Sequence, residues 1–286
     1  MSFFKKLFGN NDKPEDKKPE PNSQDLWVEK EMQAIAAKYK RTAVLLGPRK
    51  AKAPLGLLES KFGGTPNALG FESYPHCPSC GTALNFVLQL YRSDFSQMYF
   101  PGHTDLFQLY RCPNYDCTGI DYTKHDLPTF HYYFTARGLT KELAYSGHNL
   151  EKAEKPVREC RLQPETSEDY PNYDDFQGGE LDAFTEKYGE EMQEEFVDTY
   201  MNMPNTKIGG YPSFIQYAHY PTCTCGKTKE FFFQLASSDS FPDPEAPPDK
   251  YEWSAHGLMM GDVGNMYFYI CRTCGAETIE TYFDCS

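Results

Sequence analysis

No run of about eighteen apolar residues occurs in the 286-residue chain, which argues against a transmembrane helix. Positive charge is also scarce: 28 Lys and Arg stand against 41 Asp and Glu, a formal charge of −13. Nucleic-acid binding needs a basic face, so this balance disfavours that role. The stretch Met1 to Gly9 sets two lysines inside its only apolar patch and then runs into a polar tract, so no secretory signal is predicted. The chain has no G-x-x-x-x-G-K-[ST], no H-E-x-x-H and no G-x-S-x-G. An enzyme site assembled from scattered residues stays open, but no motif argues for one. The expectation is a soluble, cytoplasmic protein whose thiols stay reduced. At 40% hydrophobic and 15% aromatic residues, it has enough apolar surface to bury a core.

Charge is unevenly placed. Pro164 to Tyr200 holds 13 acidic residues and one Lys, a local net of −12, leaving about −1 for the rest. Such a block repels phosphates and suits a basic protein partner, or else is a solvated helix face. Asn10 to Asn22 is polar and Pro-rich and is expected to be a disordered linker. The FFKKLF before it is too short and too weakly charged for more than marginal membrane contact.

Helical spacing runs through Ser23 to Arg41, with Leu26, Trp27, Met32, Ile35, Ala36 and Tyr39 behind Ser23 as a candidate N-cap. A second helix is predicted over Glu180 to Met201, with Leu181, Phe184, Tyr188, Met192 and Phe196 on one stripe. Most of the remainder reads as strand. Asn85–Tyr91, Asp105–Arg111, Thr129–Thr135, Glu230–Leu235 and Asn265–Ile270 are short and aromatic or β-branched. Ser240 to Lys250, with four prolines, is predicted to be an exposed loop.

The chain repeats itself. Lys61-Phe62-Gly63-Gly64-Thr65-Pro66 leads to Tyr74-Pro75-His76-Cys77-Pro78-Ser79-Cys80-Gly81, to Phe86-Val87-Leu88-Gln89-Leu90, and to Tyr110-Arg111-Cys112 with Cys117. Lys207-Ile208-Gly209-Gly210-Tyr211-Pro212 leads to Tyr220-Pro221-Thr222-Cys223-Thr224-Cys225-Gly226, to Phe232-Phe233-Gln234-Leu235, and to Tyr269-Ile270-Cys271 with Cys274. The Gly-Gly pairs and the first cysteines are both offset by 146 residues. Two related half-domains, packed about a pseudo-twofold axis, account for this order.

Each copy supplies four cysteines: C-x2-C, a spacer of 31 and C-x4-C in the first, C-x-C, a spacer of 45 and C-x2-C in the second. Two cysteines on a turn followed by Gly form a knuckle, and two knuckles on neighbouring strands complete a four-thiolate site of the zinc-ribbon kind. Cys77, Cys80, Cys112 and Cys117, and Cys223, Cys225, Cys271 and Cys274, are therefore the predicted ligands of two structural Zn2+ ions. Disulfides need an oxidising compartment, a redox pair would explain one motif of four, and an iron–sulfur cluster also accepts four thiolates. Filled by thiolates, neither site keeps an open position, and metal binding becomes folding free energy. Cys160 and Cys285 are left over and read as buried strand residues.

His131 sits in an aromatic strand and reads as a packed imidazole, although His125 and His148 lie near it in sequence. His76 and His219 precede the first cysteines at unequal offsets, and a ligand role for either would make one thiolate redundant. Gly63, Gly64, Pro66, Gly209, Gly210, Pro212 and Gln216 are the candidate binding residues if a pocket lies between the half-domains; otherwise these are tight strand connections.

At these residues the chain resembles two known families. Gly-Gly-x-Pro before Cys-Pro-x-Cys-Gly, Phe-x-x-Gln-Leu and Cys-Pro-Asn-x-x-Cys is similar to the first half of the programmed cell death protein 2 family. Gly209-Gly210-Tyr211-Pro212-Ser213-Phe214-Ile215-Gln216 resembles the signature of bacterial YwqG-like proteins, a domain family of unknown function. The resemblance covers about Lys61 to Cys117 and Lys207 to Cys274. It implies a duplicated, β-rich fold and, from the eukaryotic relatives, a chaperone role toward a ribosomal protein.

The expected organisation is a mainly β (α+β) protein of two half-domains with amphipathic helices. A tail and linker occupy 1–22, a helix and connector 23–52, the first half-domain 53–165, an acidic helical connector 166–200 and the second half-domain 201–286. The expected function is a non-enzymatic, zinc-stabilised module that binds a basic protein as chaperone or adaptor. The alternatives are an enzyme or ligand-binding protein with its pocket between the half-domains, and an antitoxin-like neutraliser of a basic effector.

Overall fold

Aromatic and β-branched residues bounded by Gly, Pro and Asn favour short strands, and twelve of them form among the residues that the computed structural model describes. Those residues are 23–68, 73–114, 117, 130–136, 157–176, 179–239 and 254–286. FFKKLF, the Asn10–Asn22 linker, the Ser240–Lys250 loop, His125 and His148 lie outside them.

The elements run α1 (Ser23–Tyr39), β1 (Arg41–Leu45), β2 (Pro48–Lys50), β3 (Lys61–Phe62), β4 (Asn85–Tyr91), β5 (Thr104–Arg111) and β6 (Phe130–Ala136). They continue with β7 (Cys160–Leu162), β8 (Glu165–Asp169), α2 (Glu180–Tyr188), α3 (Glu190–Thr199), β9 (Lys207–Gly209), β10 (Glu230–Ala236), β11 (Asn265–Ile270) and β12 (Glu280–Asp284). The strands make two six-stranded sheets, β12-β11-β10-β9-β1-β8 and β2-β7-β3-β4-β5-β6. The fold is mainly β.

The two sheets are built alike. β3, β4, β5 and β6 take the places that β9, β10, β11 and β12 take in the other sheet. Even the irregularities match: β4 slips register between Phe86 and Leu88, β10 between Phe231 and Phe233. The outer two strands of each sheet come from a shared ribbon. β1 pairs with β8 from Arg41↔Asp169 to Leu45↔Glu165, and β2 pairs with β7 from Pro48↔Leu162 to Lys50↔Cys160, in one uninterrupted register. Between them the Gln163 N–H reaches Leu46 O at 3.1 Å and Gly47 O at 3.0 Å. Residues 41–50, read from sequence as part of a connector, are therefore strands that bind one sheet to the other.

One face of each sheet enters a common core. Leu88, Leu90, Phe107 and Leu109 are buried with Phe233, Leu235, Phe268 and Ile270 of the other sheet. The Phe107 ring lies 5.7 Å from Phe233 and 6.0 Å from Phe268, across the join. The opposite faces are buried too. Across the second sheet the row Lys61↔Gln89↔Gln108↔Tyr133 is directly paired, and across the first Lys207↔Gln234↔Tyr267↔Tyr282. The Gly-Gly-x-Pro segments cover these polar rows and take up their hydrogen bonds: Gln89 Oε1 accepts from Asn67 N at 3.0 Å, Gln234 Oε1 from Ser213 N at 2.8 Å.

The helices form a separate cluster. Val28, Met32, Ile35 and Ala36 of α1 pack on Leu181, Phe184 and Phe196. These α1 positions follow a 3.6-residue period, which Leu26 and Trp27 do not. Those two, predicted to dock, are instead 45% and 70% exposed. The side chain of Ser23, the predicted cap, lies outside the description. The single helix predicted over Glu180 to Met201 is two helices, because Gly189 takes φ 89°, ψ 169°, a conformation that L side chains avoid.

Candidate metal centres

The first knuckle of each copy is a miniature hairpin. A single antiparallel bridge, His76↔Ala83 or Thr222↔Thr228, closes the loop immediately before the first cysteine of each copy. Inside it Gly81 N donates to Cys77 O and Gly226 N to Cys223 O, both at 2.8 Å. The second knuckle of each copy follows β5 or β11; Gly275 N donates to Cys271 O at 2.9 Å, and Cys271 N donates to Thr278 Oγ1 at 3.1 Å. β4 pairs with β5, and β10 with β11, so both knuckles of a copy lie at one end of one hairpin.

The eight predicted sulfurs gather as two quartets, Cys77, Cys80, Cys112, Cys117 and Cys223, Cys225, Cys271, Cys274, each with all sulfurs within 4.8 Å of one another. In the first, Cys77–Cys117 and Cys80–Cys112 are 3.6 Å apart and Cys112–Cys117 3.5 Å; in the second, Cys225–Cys271 is 3.6 Å. A disulfide would close to about 2.05 Å. A tetrahedral ion with metal–sulfur bonds of about 2.3 Å spaces its sulfurs about 3.8 Å apart. The observed spacing therefore fits one ion per quartet, and a cluster with several ions between the sulfurs would need a wider cage. These two clusters could hold metal ions.

The electrostatics of the quartets fit a cation site. Thr82, through its side chain and its main chain, pulls the Cys80 thiol down to about 6. Main-chain hydrogen bonding at Cys225 does the same for Cys223, also to about 6. Burial pushes Cys112 upward, and its neighbours Cys225 and Cys223 push Cys274 up to about 12. Four like charges cannot share so small a volume unless a metal ion compensates them. Asn114 Nδ2 lies 3.5 Å from Cys80 Sγ and 3.1 Å from Thr82 Oγ1, a contact that orients the exposed Cys80 thiol.

The neighbouring histidines are engaged elsewhere. His76 Nδ1 sits 2.7 Å from Tyr74 O, and His219 stacks on Tyr282 at 4.2 Å. His131 lies in β6 and is held below the usual imidazole range by burial. Cys160 is a buried residue of β7, its thiol pushed up to about 12 by desolvation. Cys285 departs from its expectation: it is partly exposed and lies just past the end of β12.

The Gly-Gly-x-Pro residues do different work from the one a pocket would require. Lys61 and Lys207 are wholly buried, and each meets a carboxylate: Glu159 at 3.6 Å and Asp169 at 2.8 Å. A Cβ on Gly64 would sit 2.1 Å from Glu159 Oε1, and one on Gly210 would sit 2.1 Å from Asp169 Oδ2. Both glycines have positive φ, 69° and 73°. The repeated motif thus makes room for the acid that neutralises its own lysine. Gly63 and Gly209 complete the turns, Pro66 and Pro212 are buried, and exposed Gln216 donates to Cys285 O at 2.6 Å.

A Ser–His–Asp array escaped the sequence reading, since Asp239 stands well before Ser254 and His256 in the chain. His256 Nε2 lies 3.2 Å from Asp239 Oδ2, and Ser254 Oγ 3.3 Å from His256 Nδ1. The Leu258 N–H already donates to Nδ1 at 3.0 Å, which takes the lone pair that a serine proton would need. Asp239 also accepts from Thr206 N at 2.6 Å, and the imidazole stacks on Phe62 at 4.5 Å. With exposures of 4%, 0% and 2% for Ser254, His256 and Asp239, the array is a buried polar tie between the sheets.

Among the described residues no helix is long and apolar enough to cross a membrane. No curated protein matches the chain. Residues 60–273 match a family model over both Lys-x-Gly-Gly turns and seven of the eight knuckle cysteines, and the chain belongs to that family, described as Domain of unknown function (DUF1963).

Proposed function

We propose that the protein is a non-catalytic, zinc-stabilised module that binds another protein. The observation that carries the reading is the pair of four-cysteine quartets, with sulfurs as close as 3.5 Å in the first and 3.6 Å in the second. Zn2+ suits four thiolates in tetrahedral array, and a filled quartet offers no position to water or substrate. The ions would hold the ends of the β4–β5 and β10–β11 hairpins and add their binding energy to folding. Reduced thiolates suit a cytoplasmic setting.

Several features favour protein binding over a reaction. The space between the sheets is filled by Phe107, Phe233 and Phe268, which leaves little for a pocket there. The polar array of Ser254, His256 and Asp239 is committed to packing. The acidic stretch from Pro164 to Tyr200 favours a basic partner, in line with the chaperone role that the resemblance to the programmed cell death protein 2 family implies. The stretch Gly209 to Gln216 favours a place near the YwqG-like proteins.

Affinity purification at native abundance, read by mass spectrometry, tests this reading. It expects a basic protein in stoichiometric amount with the metal-loaded chain. Recovery of metabolites or nucleotides with no protein partner contradicts it.

A further inference from the structure

Helix α3 carries Glu190, Glu191, Glu194, Glu195 and Asp198 and no basic residue. The lysines of the helical unit are used elsewhere: Lys187 pairs with Glu31 at 2.6 Å, Lys38 pairs with Glu180, and Lys30 lies over the Trp27 ring. The five carboxylates are exposed, so their field is turned toward solvent.

Two segments with exposed aromatic residues, Tyr173–Asp175 and 215–220, are bonded to each other, and the first of them to α3. Tyr173, Ile215, Tyr217 and Tyr220 are 40%, 37%, 79% and 42% exposed. Gln193 of α3 donates from Nε2 to the Tyr173 hydroxyl, and the Tyr220 hydroxyl donates to Asp175 Oδ2 at 2.8 Å. The first bond sets Tyr173 against α3, where Glu190 lies one turn before Gln193, and the second ties Tyr220 to the Tyr173–Asp175 turn. The loop that presents Tyr217 is held in place. Asp284 Oδ2 accepts from Ile215 N at 2.8 Å and Gln216 N at 3.2 Å, and Phe214 packs on Tyr267 at 5.1 Å. Tyr173 and Tyr220, held through their hydroxyls, make contact area with little further entropy to lose.

We propose that this face of tyrosines and carboxylates docks a basic segment of a partner protein. Its Arg or Lys heads would pair with α3 while their stems and guanidinium planes lie on Tyr173, Tyr217 and Tyr220. Arg41 already makes such a contact within the chain, 4.0 Å above the Tyr211 ring. Charge complementarity selects the occupant, because the phosphates of nucleic acids and anionic lipids meet repulsion here. The inference rests on the protein-binding reading above and gives that reading a surface.

The test titrates a fluorescent peptide of alternating Arg, Lys and Leu into the full-length, zinc-loaded protein, beside a counterpart peptide with Glu at each basic position. Binding of the basic peptide alone is expected. Tyr173→Ala/Tyr217→Ala and Glu190→Lys/Glu194→Lys should each weaken it about tenfold or more, the second with a flatter salt dependence. Thermal unfolding of each variant, expected near wild type at these exposed positions, shows that the fold is kept. If charge reversal weakens binding and the tyrosine pair does not, the attraction is a diffuse field effect and the docking face is wrong. If a partner protein binds wild type and both variants equally, the face is wrong while the protein-binding reading stands. Absence of any protein partner removes that reading itself.

Discussion

Lys207 Nζ lies 2.8 Å from Asp169 Oδ2, and both side chains are completely buried. The same carboxylate accepts from Tyr211 N at 2.7 Å and, through Oδ1, from Met203 N at 2.7 Å. One acid therefore neutralises the lysine of β9 and fastens the segments on both sides of it. Asp169→Ala should destabilise the protein by about 3–5 kcal/mol, because it strands a buried ammonium ion, while Lys207→Met together with Asp169→Ala should recover part of that loss. Urea unfolding measures both. A single variant that unfolds like wild type would show that the pair contributes nothing.

Two glycines with positive φ should respond differently to Ala. At Gly189 nothing lies within 4 Å of an added Cβ, so Gly189→Ala meets only the backbone cost, about 1–3 kcal/mol. At Gly210 the Cβ also strikes Asp169 Oδ2, so Gly210→Ala should lose clearly more and resemble Asp169→Ala. Equal losses would mean that the carboxylate moves aside freely.

The helical unit should loosen at both ends of the pH scale. Glu31, Glu168 and Glu180 are held below their usual 4.5 by hydrogen bonds from Lys187, Lys40 and Lys38 respectively. A depressed carboxylate contributes stability above its unfolded value and loses it as pH falls through the folded one. Lys38 and Lys187 are raised above 10.5 by Glu180 and Glu31. Their contribution is present below 10.5 and disappears as pH rises through the folded value. Hydrogen exchange of α1 amides, corrected for intrinsic rates, should quicken as pH falls below 4.5 and again as it rises above 10.5, before the β4–β5 and β10–β11 amides respond. Loss of sheet protection before α1 would contradict this order.

The account of Ser254, His256 and Asp239 is equally exposed to test. Fluorophosphonate probes should leave Ser254 unlabelled in the folded protein. His256→Ala should cost about 2–4 kcal/mol, since it removes the stack on Phe62 and leaves Asp239 and the Leu258 N–H short of a partner. Stoichiometric labelling of Ser254 would revive a catalytic reading.

Much of the sheet structure is legible in the sequence. Asn85–Tyr91 and Asn265–Ile270 form strands at their predicted limits, and both cysteine quartets assemble as their spacing implies. Seven strands went unread, all of them short: β3 has two residues, β2, β7 and β9 have three, and β1, β8 and β12 have five, which leaves little length for a period to show. β8 reads Glu-Thr-Ser-Glu-Asp, an edge strand whose polar side chains hide its role. The acids that meet Lys61 and Lys207 were also invisible, because each comes from a β-ribbon distant in sequence and no local pattern couples them.

Metal content bears most directly on the central claim. Elemental analysis of the purified, reduced full-length protein should find close to two zinc ions per chain, and Cys77→Ser and Cys271→Ser should each remove one and lower thermal stability. A chain that is folded and reduced yet carries neither zinc nor iron, and that is unmoved by both substitutions, would contradict the account.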